Sequence, residues 1–309
     1  MNILITGIHG FVGSNLVEYF KTEHKLYGLD ILQPEKEGIV KTYSWDQLDQ
    51  IQNIDAVVHL AGKAHDTKNK SAAQVYFDIN TGLTEKIYDW FLHSDAKSFV
   101  FFSSVKAAAD TVPGDILTEE VIPQPKGPYG ESKIKAEERV LVHLAEAPHK
   151  QIIILRPCMI HGPGNKGNLN LLYKVVSKGI PWPLGAFENL RSFTSIENLC
   201  FAVEGLISKP VASGIYHIGD DEPVSTNRLI ELIAESVGKS ASIWNIPKGL
   251  MQGIAKTGDL LHLPLDSQRL HKLTENYVVS NHKLKKALDI EKMPVDAIDG
   301  LKKTLKSFK

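Results

Sequence analysis

The chain has 309 residues, with 35 basic and 36 acidic side chains and a formal net charge of −1. This length allows a substantial core in one large domain or two closely packed ones, and the balanced charge carries no nucleic-acid or membrane-surface signature. No basic leader, long apolar run or lipidation motif is found, so a cytoplasmic protein is expected. Two cysteines without ligand spacing predict neither a metal site nor a disulfide framework.

A short apolar run at residues 1–6 predicts a first strand, and helical spacing of apolar residues follows a glycine-rich turn. The turn reads Gly-Ile-His-Gly-Phe-Val-Gly over residues 7–13. Its glycines permit a tight turn and the close approach of phosphates, which the N terminus of the next helix attracts. The sequence therefore predicts a dinucleotide site here, with cofactor contacts from Gly7, His9, Gly10, Phe11, Val12 and Gly13.

The second predicted strand is Lys25–Leu29, and Asp30 follows directly at its carboxyl end. The dinucleotide fingerprint expects a ribose-binding acid about 20 residues beyond its glycines. A carboxylate there accepts hydrogen bonds from both ribose hydroxyls and repels a 2′-phosphate. Asp30 therefore predicts NAD as the cofactor in preference to NADP.

Strand-like runs then alternate with helical patterns along the chain. Continuous apolar runs suit strands that are covered on both faces, and the alternation predicts right-handed βαβ units. We therefore expect an α/β fold, a Rossmann-type doubly wound parallel sheet at residues 1–160, with a smaller, mainly substrate-binding region at residues 161–309. Residues around 195–219 are expected to return to the sheet. The further predicted strands are Asp55–Ala61, Ser98–Ser103, Gln151–Pro157 and Gly214–Gly219, and the helices are Thr81–His93, Tyr129–Ala145, Asn168–Lys178 and Ser225–Val237.

Tyr129 and Lys133 stand four residues apart in a predicted helix, so they share one face. A nearby ammonium stabilises a phenolate and lowers the tyrosine pKa, which makes the phenol a usable acid and base. The hydroxyls of Ser103 and Ser104 lie at the carboxyl end of a predicted parallel strand, where such sheets bind ligands. These residues together predict an acid–base site beside the dinucleotide.

Five motifs follow one another along the chain. They are Thr6 with the glycine turn at 7–13, His-Leu-Ala-Gly at 59–62, Ser103-Ser104, Tyr129-x-x-x-Lys133, and Arg156-Pro157 with His-Gly-Pro-Gly at 161–164. In this order they resemble the extended short-chain dehydrogenase/reductases, and specifically the NAD-dependent nucleotide-sugar epimerase/dehydratase group. The resemblance covers nearly the whole chain. Within the group, Ser103-Ser104-Val105-Lys106 and residues 162–168 are similar to bacterial UDP-sugar 4-epimerases and 4-ketoreductases of polysaccharide biosynthesis.

This resemblance implies a role for each matching residue. Ser104 is expected to hydrogen-bond the 4-oxygen of the sugar, Tyr129 to act as acid and base, and Lys133 to lower the tyrosine pKa and hold the nicotinamide ribose. The remaining implied cofactor contacts are Leu60, Ala61, Gly62, Asn80, Ser103 and Pro157. The implied substrate contacts besides Ser104 are Lys106, Asn168, Arg191 and Arg269.

Two departures from the family pattern concern the pocket wall. His161 stands where the family often has tyrosine, and Ala107-Ala108-Ala109 replaces a Tyr-Gly that commonly follows the catalytic serine. Sugar 4,6-dehydratases carry Asp-Glu directly after that serine or threonine. Here Val105 and Lys106 follow it, which disfavours a dehydratase.

Three functions stay open at this point: a 4-epimerase of the UDP-glucose or UDP-N-acetylhexosamine type, a 4-ketoreductase using NADH or NADPH, and a non-catalytic nucleotide sensor. The resemblance also implies a homodimer built on the helices at 81–93 and 129–145. Leu83, Ile87 and Phe91 lie on one face of the first, a pattern that either a dimer interface or burial against the chain's own sheet would produce. No nucleic-acid or membrane partner is expected.

Overall fold

The computed structural model describes residues 1–32, 34–63, 72–144, 147–165, 167–261, 263 and 265–308. Eleven strands lie in this part of the chain: β1 (Asn2–Thr6), β2 (Lys25–Leu29), β3 (Ile39–Tyr43), β4 (Ala56–His59), β5 (Ser98–Phe102), β6 (Gln151–Pro157), β7 (Met159–His161), β8 (Leu190–Arg191), β9 (Phe193–Ser195), β10 (Gly214–Ile218) and β11 (Val224–Ser225). Seven of them form one parallel sheet in the order β10-β6-β5-β4-β1-β2-β3. The predicted doubly wound sheet is confirmed.

Helices cover both faces of the sheet and build the C-terminal region. In the same described residues they are α1 (Phe11–Phe20), α2 (Ala73–Tyr76), α3 (Leu83–His93), α4 (Val105–Ala108), α5 (Gly127–Val142), α6 (Asn168–Ser177), α7 (Ile196–Ser208), α8 (Thr226–Ser236), α9 (Lys248–Leu261), α10 (Ser267–Thr274), α11 (His282–Leu288) and α12 (Ala297–Lys306). A π-helical turn, Phe77–Gly82, joins α2 to α3, and a 3-10 turn lies at Leu48–Gln50. None of the described helices is both long and apolar enough to cross a membrane.

Alternation along β1 shows how the sheet divides the core into two layers. Ile3 and Ile5 pack on one face in a cluster with residues of α1 and α7, whereas Leu4 packs on the other with residues of α3 and α5. Successive side chains of a strand point to opposite faces, so each apolar strand of the sheet serves both clusters. This two-sided burial explains why the sheet strands appear in the sequence as continuous apolar runs.

The observed elements differ from the predicted ones mainly at their ends. The predicted strand Asp55–Ala61 is shorter in the structure, where β4 ends at His59. Leu60 and Ala61 donate their backbone N–H groups to the Thr6 hydroxyl instead of to a neighbouring strand. Strand β3 was not predicted, since its sequence, IVKTY, is mostly exposed or half-buried. Ala145, the predicted end of the helix that begins near Tyr129, lies outside the described residues.

The structure decides between the two explanations left open for the apolar face of α3. Ile87 and Phe91 of α3 are fully buried in the chain's own core, where they pack with Leu4 and other sheet residues. Burial against the sheet therefore explains the apolar face that was offered for a dimer. The outer surface shared by α3 and α5 carries an exposed ion pair, with Arg139 Nε 2.8 Å from Glu85 Oε1.

The C-terminal part of the chain contributes to the sheet and also forms a separate cluster. β10 pairs in parallel with β6 at the edge of the sheet, and α7 packs on the sheet beneath it. Residues of α6, α8 and α12 form a second apolar cluster, and residues of α9 and α10 a third, smaller one. The boundary at 160/161 remains a prediction.

Candidate active site

The glycine-rich turn after β1 brings backbone into close contact at two points. Gly7 has a φ of +72°, a conformation that suits glycine, and a Cβ added to Gly13 would lie 2.2 Å from the Gly7 carbonyl oxygen. Gly10 caps α1 without contributing a side-chain hydrogen bond. The first N–H groups of α1 are therefore presented to the space above the turn, as a pyrophosphate site requires.

Asp30 lies where the sequence predicts it, directly after β2. Its carboxylate is buried and accepts hydrogen bonds from the backbone N–H groups of His9, at 3.2 Å, and Leu32, at 3.1 Å. These contacts hold the acid against the glycine-rich turn. The Nε2 atom of His9 is buried and has no hydrogen-bond partner among the described residues, which is a further sign that a polar ligand belongs at this turn.

A loop at residues 60–63 lies against the same turn. The Thr6 hydroxyl accepts hydrogen bonds from the N–H groups of Leu60, at 3.0 Å, and Ala61, at 2.8 Å. A Cβ on Gly7 would lie 3.2 Å from Ala61 Cα, so turn and loop are in contact. Sequence reasoning did not single out Thr6 as the residue that positions this loop.

Asn80 connects that loop to helix α5. It is fully buried in the π-helical turn, and its Oδ1 accepts the N–H of Lys63 at 2.7 Å. Its Nδ2 donates to Ser132 Oγ at 2.9 Å, and Ser132 in turn donates to the carbonyl of Tyr129 at 2.8 Å. π-helical turns are frequent at functional sites because they re-aim side chains. Asn80 therefore fixes the position of α5 relative to the loop.

Ser104 and Tyr129 are brought together by α4 and α5. The two side chains share a hydrogen bond, and the Tyr76 ring meets the Tyr129 ring edge-on with centroids 6.4 Å apart. Burial raises the pKa of the Tyr129 phenol, and the Ser104 hydrogen bond acts in the opposite direction. The helices pack closely here, since a Cβ on Gly130 would lie 2.6 Å from the Lys106 carbonyl oxygen.

Lys133 lies one helical turn beyond Tyr129 on α5. Its ammonium is buried, donates to the Phe102 carbonyl at 2.8 Å and lies over the Phe101 ring. Burial lowers the pKa of Lys133 to about 8, whereas the pKa of Tyr129 is raised. The lowering of the tyrosine pKa by Lys133 stays a prediction; in this structure the ammonium is held by the Phe102 carbonyl of β5. Gly62 adjoins it: a Cβ there would lie 3.2 Å from Lys133 Nζ.

A buried ion pair supports the strand ends beneath these residues. Arg156, at the end of β6, donates through Nε to both carboxylate oxygens of Glu137, at 2.9 and 3.1 Å, and also through a terminal nitrogen. Ser103 donates a short hydrogen bond to the same carboxylate. Both charged residues are fully buried. Sequence reasoning missed this pair, although Glu137 lies four residues beyond Lys133 on α5.

The predicted substrate contacts Lys106 and Arg191 meet at a second cluster. Lys106 Nζ donates to the Asp110 carbonyl at 2.8 Å, and Lys272 Nζ donates to the Asp110 carboxylate at 2.7 Å. Arg191 donates to the backbone carbonyl of Lys272. Burial and the Lys272 ammonium hold the pKa of Lys106 below its usual range. Asp110 and Lys272 were not predicted; the spacing of four between Lys106 and Asp110 was the available signal.

Four other residues singled out in the sequence lie on α6, α10, β6 and β7. Asn168 is exposed at the start of α6, and Arg269 is largely exposed on α10, 3.6 Å from the Asp266 carboxylate. Pro157 is buried at the end of β6, paired with Ile218 of β10. His161 is fully buried, with Nδ1 2.9 Å from the Thr304 hydroxyl and Nε2 3.4 Å from Asp220. The predicted roles of Asn168, Arg269 and Pro157 stay predictions.

A dinucleotide fits the glycine turn, the Asp30 carboxylate and the unpartnered Nε2 of His9. The loop at 60–63 and Lys133 lie next to each other further along the same sheet edge. In the part of the chain that the structure describes, no group of three or more histidine, cysteine or acidic side chains is arranged to hold a metal ion. The arrangement can bind a dinucleotide and exchange a proton through a phenol beside it.

Comparisons with known proteins agree with this geometry. The model of the NAD dependent epimerase/dehydratase family matches residues 3–219. The chain belongs to this family. It is therefore an NAD-dependent enzyme, as the Asp30 position predicts.

Two curated relatives are similar over most of their length. A UDP-glucose 4-epimerase of Vibrio cholerae is 33% identical over 261 residues, which are 80% of this chain and 78% of the relative. An N-acetyl-α-D-glucosaminyl-diphospho-ditrans,octacis-undecaprenol 4-epimerase of Escherichia coli O157:H7 is 29% identical over 254 residues, 80% of this chain and 75% of the relative.

Solved structures share the fold at lower identity. The UDP-glucuronic acid 4-epimerase from Bacillus cereus in complex with NAD has a TM-score of 0.77 and 21% identity, covering 100% of this chain and 96% of that one. The UDP-N-acetylglucosamine 4-epimerase from Bacillus cereus has a TM-score of 0.76 and 19% identity, covering 100% and 98%. The Rossmann-like fold of the family therefore extends over the whole chain.

Proposed function

We propose that the chain is a 4-epimerase of UDP-sugars of the UDP-glucose or UDP-N-acetylhexosamine type. The observation that carries the proposal is the hydrogen bond between Ser104 and Tyr129, with buried Lys133 one helical turn from the tyrosine. The curated relatives that cover most of the chain are 4-epimerases by name. Polysaccharide biosynthesis is the setting in which such activated sugars are consumed.

In the proposed reaction, Tyr129 takes the proton from the 4-hydroxyl of the sugar and later returns it to the 4-oxygen. Ser104 donates a hydrogen bond to that oxygen and holds it within reach of the phenol. NAD, when bound, supplies the hydride acceptor and donor for C4. The turn at 7–13 and Asp30 would hold its pyrophosphate and adenosine ribose, and Lys133 its nicotinamide ribose. Lys133 and the Glu137–Arg156 pair keep the site rigid while the keto sugar presents its other face.

We assign binding of the substrate to the cluster around Lys106. Its ammonium and that of Lys272 flank Asp110 at the end of the short helix that begins after Ser104. Arg191 lies against the same segment through the Lys272 carbonyl. A diphosphate suits such a group of cations, because a guanidinium and two ammonium groups offer several charge-assisted donors. Asn168 and Arg269 remain predicted substrate contacts.

The sequence disfavours a dehydratase, and an experiment distinguishes an epimerase from a ketoreductase. Eliminating water needs carboxylates after Ser104, and this chain has Val105 and Lys106 there. The chain is incubated as isolated with UDP-glucose and with UDP-N-acetylglucosamine, without added NADH, and the C4 epimers are resolved by chromatography. Interconversion of epimers without net NADH consumption is expected. A second incubation supplies a UDP-4-keto sugar with NADH. Turnover in this incubation alone, with stoichiometric NADH oxidation, would show a ketoreductase instead.

We also propose a cytoplasmic homodimer. The α3 face named above cannot form the interface, so the contact would use the outer surfaces of α3 and α5, including the Arg139–Glu85 pair. Sedimentation velocity at micromolar concentration measures this directly. A single species at the monomer mass of 34.2 kDa would contradict the dimer.

A further inference from the structure

His59 ends strand β4, directly before the loop at 60–63 that lies against the glycine-rich turn. Its imidazole is fully buried. Both ring nitrogens have partners, since Nδ1 lies 2.8 Å from the Thr6 hydroxyl oxygen and Nε2 lies 2.9 Å from the Thr84 hydroxyl oxygen. The Phe101 ring stacks on the imidazole, with centroids 5.6 Å apart. These contacts hold the buried ring in one orientation.

The hydrogen bonds around the ring determine which of its nitrogens carries the proton. The Thr84 hydroxyl has one proton and donates it to the Asn80 carbonyl at 2.6 Å. Thr84 therefore accepts from His59, so Nε2 carries the ring proton. A neutral imidazole then has an unprotonated Nδ1, which accepts a hydrogen bond. The proton of the Thr6 hydroxyl is directed to that nitrogen.

The Thr6 oxygen keeps two lone pairs, and the loop uses both of them. The N–H groups of Leu60, at 3.0 Å, and Ala61, at 2.8 Å, donate to this oxygen. If Nδ1 of His59 also carried a proton, the Thr6 oxygen would have to accept from the ring, and a loop N–H would lose its acceptor. The position of the loop therefore depends on the protonation state of the histidine.

The surroundings of His59 favour the neutral ring. Burial lowers the pKa of His59 to about 3, and the Lys133 ammonium acts in the same direction. The Trp45 ring meets the imidazole edge-on, with centroids 6.4 Å apart. A histidine with such a pKa is neutral at about pH 5 and above.

The loop that Thr6 holds lies between two parts of the cofactor site. A Cβ on Gly7 would lie 3.2 Å from Ala61 Cα, so the loop touches the glycine-rich turn. A Cβ on Gly62 would lie 3.2 Å from Nζ of Lys133, which is assigned the nicotinamide ribose. A displaced loop would therefore change the space between the turn and Lys133.

We propose that His59 is a positioning residue for NAD that acts through Thr6: its Nε2–H tautomer directs the Thr6 lone pairs to the loop and thereby sets the loop against the glycine-rich turn. A histidine that only fills space in the core would occupy the same volume, but its link to Thr6 would not affect NAD affinity. The proposal concerns the cofactor and does not depend on which sugar the enzyme converts.

The direct test is the ¹⁵N NMR spectrum of the full chain labelled on histidine, with the His59 signals assigned from their loss in a His59 variant. A protonated Nε2 and an unprotonated Nδ1 are expected, unchanged between about pH 5.5 and 8. A protonated Nδ1, or a His59 signal that titrates in this range, would overturn the proposal.

NAD affinity, measured by calorimetric titration, tests the link to the cofactor. His59→Leu and Thr6→Val should each lower it about tenfold or more, because the loop N–H groups lose a correctly directed acceptor. The double variant should lose less than about twofold beyond either single one, since both changes remove the same interaction. Thr6→Ser keeps the hydroxyl and should bind NAD as the original chain does. Thr6→Val also serves as the test where His59→Leu does not fold.

The matched control is His217→Leu. It removes another fully buried histidine, on β10, whose ring nitrogens have no hydrogen-bond partner among the described residues. Its NAD affinity should equal that of the original chain. Equal affinities of His59→Leu and His217→Leu, additive losses in the double variant, or a Thr6→Ser variant as weak as Thr6→Val would each overturn the proposal. No sugar enters these measurements, so failure of the proposed epimerase reaction would leave their results standing.

Discussion

The side chains of Ser104 and Tyr129 share a hydrogen bond, although Ser104 caps the start of α4 and Tyr129 lies in α5. Burial raises the tyrosine pKa, and the serine contact opposes that effect. The Lys133 ammonium donates to the Phe102 carbonyl. Ser104 is therefore a group that favours the phenolate, and the lowering of the tyrosine pKa by Lys133 stays a prediction.

Replacing Gly13 with alanine should abolish or severely weaken NAD binding. The new Cβ would lie 2.2 Å from the Gly7 carbonyl oxygen, so the turn must open where phosphates are expected to bind. Gly253→Ala is the matched control, because a Cβ there meets nothing within 4 Å. NAD affinity is measured by calorimetric titration, and equal affinity in the two variants would count against the assignment of the turn.

Replacing Asp30 with alanine should weaken NAD binding and relax discrimination against NADP. The variant loses the carboxylate that accepts from ribose hydroxyls and repels a 2′-phosphate. Asp30 is buried beside the turn, where its carboxylate accepts the backbone N–H of His9. Asp89→Ala, an exposed acid on α3, is the control. Titration with both cofactors checks the prediction, which an unchanged NAD/NADP ratio would refute.

Lys133→Met should remove a pH-dependent contribution to stability. Burial lowers the pKa of Lys133 to about 8 from 10.5, so between these pH values the unfolded chain binds the proton that the folded chain releases. The free energy of unfolding should therefore rise with pH through this window, by up to about 3 kcal/mol.

The Met variant should lack that rise, whereas Lys135→Met, at an exposed position of the same helix, should keep it. Urea unfolding at the two ends of the window measures the difference. Identical pH dependence in Lys133→Met and the original chain would show that the ammonium is not buried as described. The same variant should also bind NAD more weakly, because Lys133 is assigned the nicotinamide ribose.

Glu137→Gln should destabilise the fold strongly. The change leaves the fully buried Arg156 without its counter-charge, a situation that costs about 3–5 kcal/mol in comparable sites. Glu138→Gln is the control, since Glu138 is exposed and next in sequence. Thermal and urea unfolding check this, and a loss below about 1 kcal/mol would mean that the pair does not support the strand ends.

The fold was predictable because its signals are local. The apolar strands, the glycine turn and the acid after β2 each depend on a few adjacent residues, and the structure places all three as expected. The contacts that position the site join distant residues and have no local signal. Asn80 to Ser132 and Asp110 to Lys272 are examples, whose partners are 52 and 162 positions apart in the sequence. Spacing on α5 likewise does not show that the Lys133 ammonium donates to the Phe102 carbonyl of β5.

The central claim is that Tyr129 exchanges the proton of the sugar 4-hydroxyl. The most direct measurement is the turnover of Tyr129→Phe on a UDP-sugar, together with its NAD affinity. The phenylalanine keeps the ring that packs against Tyr76 but lacks the hydroxyl that binds Ser104. Turnover should fall by about 10²–10⁴-fold, the usual contribution of a positioned acid–base group, while NAD affinity stays nearly unchanged. Turnover of the Phe variant equal to that of the original enzyme would contradict the mechanism.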